Sequence, residues 1–303
     1  MTRGIGEAEL VAALPDPIVA FFVFVTLLGD AVVLLVSLSL LYWFDPKWIP
    51  DGRRVALIVV ALAVAGFGMV VASKATFALP RPPYEPATSV GIPIVEQIVA
   101  SETAADGFGF PSGHAIASTL FYGGLALFAR VWSARRRAAI ASTLILAVST
   151  SRVLIGVHYV VDVVVGIALG ATLLAVVWVV ARSADGELRP DRAFAVAAVA
   201  AFTGLAIAWS TGHADEVTQA SVAAGTAIGG VVGWARYGAS TIAAPALGPL
   251  SVLGAIVVSG GLWAFAYVGA STVAVAVAAS ALGMFLILVA PLAVDRGRQK
   301  ISG

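Results

Sequence analysis

Long apolar stretches alternate with short polar segments along this chain of 303 residues. A membrane-spanning helix needs about 20 consecutive, predominantly apolar residues, and nine segments of the chain meet this requirement. The nine segments are residues 18–41, 55–79, 112–130, 138–157, 158–181, 193–211, 217–235, 245–267 and 271–293. The pattern therefore predicts an all-α fold, a polytopic bundle of transmembrane helices.

Two features within this pattern predict local structure. The segment 217–235 is the most polar of the nine, but Gly225, Gly229 and Gly233 repeat at intervals of four residues, which suits close helix packing. The segments 138–157 and 158–181 follow each other almost without a break. Gly156 and the polar residues around it predict the turn between them.

Two further segments carry unexpected polarity. Asp30 falls midway along the first predicted span, where we expect it to bond a neighbouring helix, to contribute to a polar pathway, or to mark a misplaced helix boundary. Residues 80–111 form the one long connection, a length that is usually functional or disordered. Within it, residues 92–100 are apolar enough to form a short helix at the membrane interface.

Composition supports a membrane protein. Hydrophobic residues make up 60% of the chain and charged residues only 12%, against about 25% charged in soluble domains. The absence of cysteine excludes disulfides and thiolate chemistry, and three histidines are too few for a histidine-rich metal site. The net charge of +1 gives no reason to expect a nucleic-acid partner.

The basic residues predict the orientation of the bundle. Most of the 18 Lys and Arg follow the first, third, fifth, seventh and ninth predicted spans, which places them on one side of the membrane. Cytoplasmic loops carry the excess of Lys and Arg, so we expect a cytoplasmic C-terminus in the cell membrane. The four remaining basic residues fall on the outer side: Arg3, Lys74, Arg81 and Arg152.

Three of those outer cations lie near the ends of predicted spans. Lys74 and Arg81 are seven residues apart and would share one face if the helix persisted to Pro80. Arg152 lies at the outer end of the fourth span. Each could simply extend its charge to the interface, but a gathering of all three predicts an anionic partner.

The tetrapeptide from Pro111 to His114 opens the third predicted span on the same outer side. A helix N-terminus offers free backbone N–H groups and a positive dipole end, which together bind phosphate. Gly113 would allow a ligand to approach the backbone closely. The alternative is an ordinary capped turn, because Ser112 is a common N-cap residue.

His158 and Asp162 complete the polar set. On a helix their i to i+4 spacing places the two side chains on one face. A carboxylate that accepts from one imidazole nitrogen leaves the other free to attack. The alternative is a histidine satisfied by a polar partner inside the bundle. Three cations, a helix terminus and two imidazoles suit phosphoryl transfer.

Taken together, these residues resemble the three-part signature of the type 2 phosphatidic acid phosphatases, within the superfamily of acid phosphatases and vanadium haloperoxidases. The three parts are Lys74-(x6)-Arg81-Pro82, Pro111-Ser112-Gly113-His114, and Ser151-Arg152-(x5)-His158-(x3)-Asp162. The resemblance covers a six-helix membrane core over residues 18–211. Residues 212–303 would add transmembrane helices of unknown role.

The resemblance implies a role for each motif residue. His158 would be the nucleophile that forms a phosphohistidine, Asp162 would orient it, and His114 would act as general acid and base. The phosphate-binding residues would be Lys74, Arg81, Arg152, Ser112 and Gly113. The resemblance implies no cofactor and no metal. The distribution of basic residues predicts an active site on the extracytoplasmic side.

The expected function is therefore metal-independent hydrolysis of a lipid phosphate or diphosphate. The substrate would be phosphatidic acid, phosphatidylglycerol phosphate or a polyprenyl phosphate or diphosphate, and membrane lipids would surround the protein. A phosphotransferase with the same intermediate and a non-catalytic phospholipid transporter are the alternatives. The paired imidazoles argue against the transporter, because binding alone does not require them.

Overall fold

The computed structural model describes residues 3–83, 92–104 and 107–302, and its regular structure there is helical apart from one bridge between Arg182 and Leu188. The helices are α1 (Glu7–Ala12), α2 (Asp16–Leu27), α3 (Ala31–Phe44), α4 (Gly52–Phe77), α5 (Pro93–Thr103), α6 (Gly113–Phe128), α7 (Ala134–Leu154), α8 (Val160–Val180), α9 (Pro190–Thr211), α10 (Ala214–Ala243), α11 (Pro249–Ala264) and α12 (Val273–Ser302). A short π-helical turn, Phe265–Gly269, continues α11.

The helices confirm the prediction of an all-α polytopic bundle. Within the described residues, seven helical segments are long and apolar enough to cross a membrane. α6 is apolar but shorter, with 16 residues, and α10 is a helix of 30 residues. Each of the nine predicted segments thus contains a helix, and α5 covers most of the short helix predicted at residues 92–100.

The first predicted span lies within Asp16–Phe44, which is long and apolar enough to cross a membrane, but a break divides it into two helices. α2 ends at Leu27, and Asp30 is the N-cap of α3, where its carboxylate accepts from the backbone N–H groups of Val32 and Val33 at 2.8 and 3.3 Å. Asp30 therefore caps a helix at a break. The aspartate is the signal for that break, because this residue type prefers the N-cap to a helix interior.

α4 forms the centre of the bundle and is the most buried of the helices that could span a membrane. α3, α6, α9 and α10 pack around it, and α8 packs against α6. Side chains from α3, α4, α6, α9, α10 and α12 form one continuous apolar core. This arrangement places the end of α4, the start of α6, the end of α7 and the start of α8 at the same end of the bundle.

The C-terminal helices pack tightly against that core. A side-chain carbon at Gly225 or Gly229 would collide with backbone carbonyls of Val277 and Ala281, so this stripe of α10 lies directly against α12. The close packing predicted from the glycine spacing is confirmed. Small residues allow such an approach where lipid, as apolar as the helices, gives no hydrophobic driving force.

Polar contacts near the start of α4 also hold the C-terminal helices to the core. Pro291 has no backbone N–H, which leaves the carbonyl of Ile287 without its helical partner. The indole of Trp43 donates to that carbonyl at 3.0 Å. Arg53, buried at the start of α4, donates to carbonyls around the end of α10, including Thr241 at 2.7 Å and Pro245 at 3.0 Å.

Candidate active site

The predicted site residues meet at one end of the bundle. The end of α4, the start of α6 and the turn between α7 and α8 supply them, and the segment before α6 closes over them. Lys74, Arg81 and Arg152 all lie near enough to His114 to act on it electrostatically, as does His158. The structure therefore brings together the three motif segments, which are distant in sequence.

His158 lies just before α8 rather than on it, so its predicted place on a helix was wrong. Gly156 adopts a left-handed conformation, φ +79°, which ends the turn after α7, and α8 begins only at Val160. The carboxylate of Asp162 accepts from the backbone N–H of Tyr159 at 2.9 Å and so helps to set that start. The turn predicted at Gly156 is confirmed.

Two oxygen atoms face one nitrogen of the His158 ring. Nδ1 lies 2.7 Å from the carbonyl oxygen of Gly109 and 3.5 Å from Oδ2 of Asp162. Because a carbonyl oxygen can only accept, Nδ1 carries the proton and Nε2 keeps its lone pair. Gly109 thus provides the shorter hydrogen bond, and Asp162 is the more distant of the two acceptors.

The free nitrogen of His158 faces a cation. Nη1 of Arg81 lies 3.4 Å from Nε2 and donates to the carbonyl of Val157 at 3.2 Å. Burial, only partly offset by Asp162, lowers the pKa of His158 to about 3. The imidazole is therefore neutral around pH 7, the form in which Nε2 can act as a nucleophile.

Asp162 is fully buried and bound on several sides. Nε and Nη2 of Arg3 donate to its two carboxylate oxygens at 2.7 and 3.1 Å. Its backbone carbonyl accepts from the N–H of Ser112 at 3.0 Å, which ties α8 to the start of α6. The Arg3 guanidinium also lies over the ring of Tyr159. Sequence reasoning missed Arg3, because it belongs to no motif.

Arg152 occupies the last turn of α7 and is 5% exposed. Its Nη1 donates to Thr26 Oγ1 at 2.9 Å and to Glu102 Oε2 at 3.0 Å. Glu102 comes from α5, within the long connection, and was not predicted as a site residue. Its carboxylate occupies the type of position that a phosphate oxygen would take beside Arg152.

His114 lies in the first turn of α6, directly after Gly113 and near the same carboxylate. Its Nε2 is 3.9 Å from Oε2 of Glu102, too far for a hydrogen bond. Among the residues that the structure describes, buried Nε2 of His114 and buried Nε of Arg152 have no hydrogen-bond partner. Buried polar nitrogens normally have one, so both atoms point to a polar ligand at this place.

The start of α6 has features of both predicted structures, a capped turn and a helix N-terminus that a ligand can approach. Ser112 is fully buried and caps the helix, since its Oγ accepts from the N–H of Ala115 at 3.4 Å. Beside it, a side-chain carbon at Gly113 would meet only Val70, at 3.6 Å. The front of this helix terminus is therefore open enough for a ligand to approach.

Lys74 and Arg81 do not share one helical face, because α4 ends earlier than expected. The C-cap Ala78 has φ +46°, and its N–H bonds the carbonyl of Lys74, so the helix stops at Phe77, before Pro80. The condition for a shared face, a helix that persists to Pro80, is therefore not met. Lys74 nevertheless lines one large cavity together with Gly113 and His114.

Residues 54–185 match the family model of the PAP2 superfamily. This region of the chain belongs to the PAP2 superfamily. The matched residues run from the start of α4 to just beyond α8 and contain all three motifs, so the family resemblance of the motifs is confirmed. Comparisons with curated proteins and with solved structures found no match. The match to the PAP2 superfamily supports phosphatase activity, the hydrolysis of phosphoric esters, by this chain. α9 to α12 lie outside the matched residues.

Proposed function

We propose that this PAP2 superfamily member is a lipid phosphate phosphatase that works through a phosphohistidine at His158 and requires no metal. One observation carries the proposal: the nitrogen Nε2 of His158 is unprotonated and lies beside a guanidinium. The nucleophile and the group that would hold the phosphoryl oxygens are thus adjacent, which is the positioning that phosphoryl transfer needs.

In the first step, Nε2 of His158 attacks phosphorus while the bond from phosphorus to the bridging oxygen breaks. His114 donates a proton to the leaving oxygen, which departs as an alcohol or, from a diphosphate, as a monophosphate. Arg81, Arg152 and Lys74 neutralise the charge that develops on the phosphoryl oxygens. The unpartnered Nε of Arg152 and Nε2 of His114 support these assignments.

In the second step, water attacks the phosphohistidine and returns the enzyme to its starting state. His114 takes a proton from the water, the bond between phosphorus and Nε2 breaks, and inorganic phosphate leaves. The Gly109 carbonyl and Asp162 hold the His158 ring throughout by facing Nδ1. Their contacts keep the same nitrogen available in each turnover.

A lipid substrate follows from the place of the site at the ends of membrane helices, which a lipid can reach sideways. Phosphatidic acid, phosphatidylglycerol phosphate and polyprenyl phosphates or diphosphates are the candidates. We place this end of the bundle outside the cytoplasm, since most Lys and Arg lie toward the other end. A cytoplasmic reporter that gave a signal when inserted into residues 80–111 would overturn this orientation.

The decisive experiment measures phosphate release from a panel of lipid phosphates by the purified protein in detergent with EDTA. We expect release by the wild type and by His213→Ala, a matched control from a histidine at the start of α10. We expect none from His158→Ala. Phosphorus label retained on wild-type protein after an alkaline quench, and absent from His158→Ala, would identify the phosphohistidine. Undiminished release by His158→Ala would refute the proposal.

A further inference from the structure

A single large cleft runs from the candidate active site into the membrane region of the bundle. Its volume is about 700 Å³, within the ~300–1,000 Å³ of pockets that hold small-molecule ligands. Its outer end is formed by Lys74, Gly113 and His114, and its inner end by Trp43 and Ile287. The cleft thus begins where the phosphoryl group would bind and leads away from it.

The length of the cleft follows α3. Residues of this helix line it from Asp30 to Trp43, which at 1.5 Å per residue is about 20 Å. This is roughly two thirds of the ~30 Å hydrocarbon core of a bilayer. Between its ends the lining is mostly apolar, with Ser39, Thr226 and Ser259 among the few polar side chains. A charged end and a long apolar body match the shape of a lipid phosphate.

One wall of the cleft comes from outside the matched family region. α11 contributes Ser259, Gly260 and Trp263, α10 contributes Ala223 and others, and the π-helical turn adds its own residues. The opposite wall comes from α3, α4 and α6, which carry or adjoin the site. The C-terminal helices therefore supply none of the motif residues but more than a third of the residues that line the cleft.

We propose that the cleft between α3 and α11 binds the hydrocarbon chain of the lipid phosphate, so that the C-terminal helices determine which chain the enzyme accepts. The inference rests on the proposed function and adds the chain-binding site to it. A hydrocarbon chain that enters the cleft leaves lipid that is equally apolar, so its entry gains no hydrophobic free energy. The cleft therefore selects between hydrocarbon chains by their shape. Obstructing it should therefore change selectivity more than chemistry.

Gly260 is the position at which to obstruct the cleft. It lines the cleft, and a side-chain carbon added there meets no atom within 4 Å. It lies seven residues before Tyr267, about 10 Å along the helix from the outer end. A phenylalanine at this point would leave room near the phosphoryl site and block the path beyond it. Gly261, the next residue, is equally open and is not part of the lining.

The test compares Gly260→Phe with Gly261→Phe, two variants with the same change at the same depth of one helix. The measured quantity is kcat/KM for a long-chain phosphatidic acid divided by kcat/KM for a short-chain, water-soluble one. We expect this ratio to fall about tenfold or more in Gly260→Phe, the scale of overpacking an apolar site, and to match wild type in Gly261→Phe. An unchanged ratio in Gly260→Phe would overturn the proposal.

A second measurement uses only the wild-type protein. A long-chain phosphonate, which cannot be hydrolysed, carries a photoreactive group midway along its chain and is cross-linked in detergent. We expect labelled peptides from α3 and α11, with labelling reduced by inorganic phosphate. Equal labelling of the same peptides by a photoreactive phosphatidylcholine would overturn the proposal and leave the cleft as a general lipid site. If wild type releases no phosphate from either substrate, the proposed function fails, and this labelling still decides whether the cleft binds chains.

Discussion

The carboxylate of Glu102 occupies the candidate phosphate site, so its removal should strengthen phosphate binding. Oε2 of Glu102 lies 3.0 Å from Nη1 of Arg152 and 3.9 Å from Nε2 of His114. Any phosphate that uses Arg152 must first displace this carboxylate or share the guanidinium with it. Glu102→Gln keeps the size of the side chain and removes its charge.

The size of the effect follows from the burial of the pair. Hydrogen bonds to charged groups contribute ~1.5–3 kcal/mol, and the Glu102 side chain is 15% exposed, so we take about 1–2 kcal/mol. One or two kcal/mol is a factor of about 5–30 in an equilibrium constant. The dissociation constant for inorganic phosphate should therefore fall about 5- to 30-fold in Glu102→Gln.

Isothermal titration calorimetry of the detergent-solubilised protein with inorganic phosphate measures this constant without relying on turnover. Glu96→Gln is the matched control, because it removes the same charge from the same helix about one and a half turns earlier. We expect Glu96→Gln to bind phosphate as the wild type does. Weaker or unchanged binding by Glu102→Gln would refute the reasoning, since Glu102 would then support Arg152 rather than compete for it.

Three further predictions concern Arg3 and His158 at the candidate site and Arg53 at the start of α4. Arg3→Ala leaves the buried Asp162 carboxylate without its guanidinium, so it should lower the free energy of unfolding by about 1–3 kcal/mol and reduce kcat. Arg3→Lys should rescue kcat only in part because lysine lacks the planar fork. Wild-type kcat in Arg3→Ala would contradict this prediction. Arg53→Ala should lower the free energy of unfolding by about 3 kcal/mol or more, since it removes several buried hydrogen bonds from a charged donor. Arg54→Ala, at a more exposed position, should lower it by less than about 1 kcal/mol. Equal shifts in Tm would contradict a stabilising role of the Arg53 hydrogen bonds. His158 has a folded-state pKa of about 3, below the ~6.5 of an unfolded histidine. The unfolded chain therefore binds the extra proton, and the free energy of unfolding falls as the pH drops below about 6.5. By pH 4.5 the loss is ~2–3 kcal/mol, so His158→Asn should show a correspondingly smaller acid-induced fall in Tm.

The bundle was predictable because lipid imposes a simple pattern on the sequence. Apolar stretches of sufficient length fix the number and type of the helices, and the spacing of Gly225 and Gly229 predicted the contact with α12. Residues that interrupt a helix were harder to place. Asp30 lies within an apolar run, and only its preference for the N-cap indicates that α3 begins there.

The motif residues of the site were also predictable, but their supporting partners were not. Lys74, His114 and His158 stand out because charge and histidine are rare in this chain. Gly109 contributes a backbone carbonyl, and no side-chain pattern reports that. Arg3 and Glu102 come from segments far from the motifs in sequence. One signal was available: an acidic residue in a region with several cations indicates an ion pair.

α6, which carries His114 near its start, is shorter than the membrane is thick. It has 16 residues, about 24 Å at 1.5 Å per residue, against ~30 Å of hydrocarbon. Local thinning of the bilayer around a short helix is one way in which such hydrophobic mismatch is relieved. Thinning beside α6 would bring lipid headgroups toward the depth at which Lys74 and His114 lie.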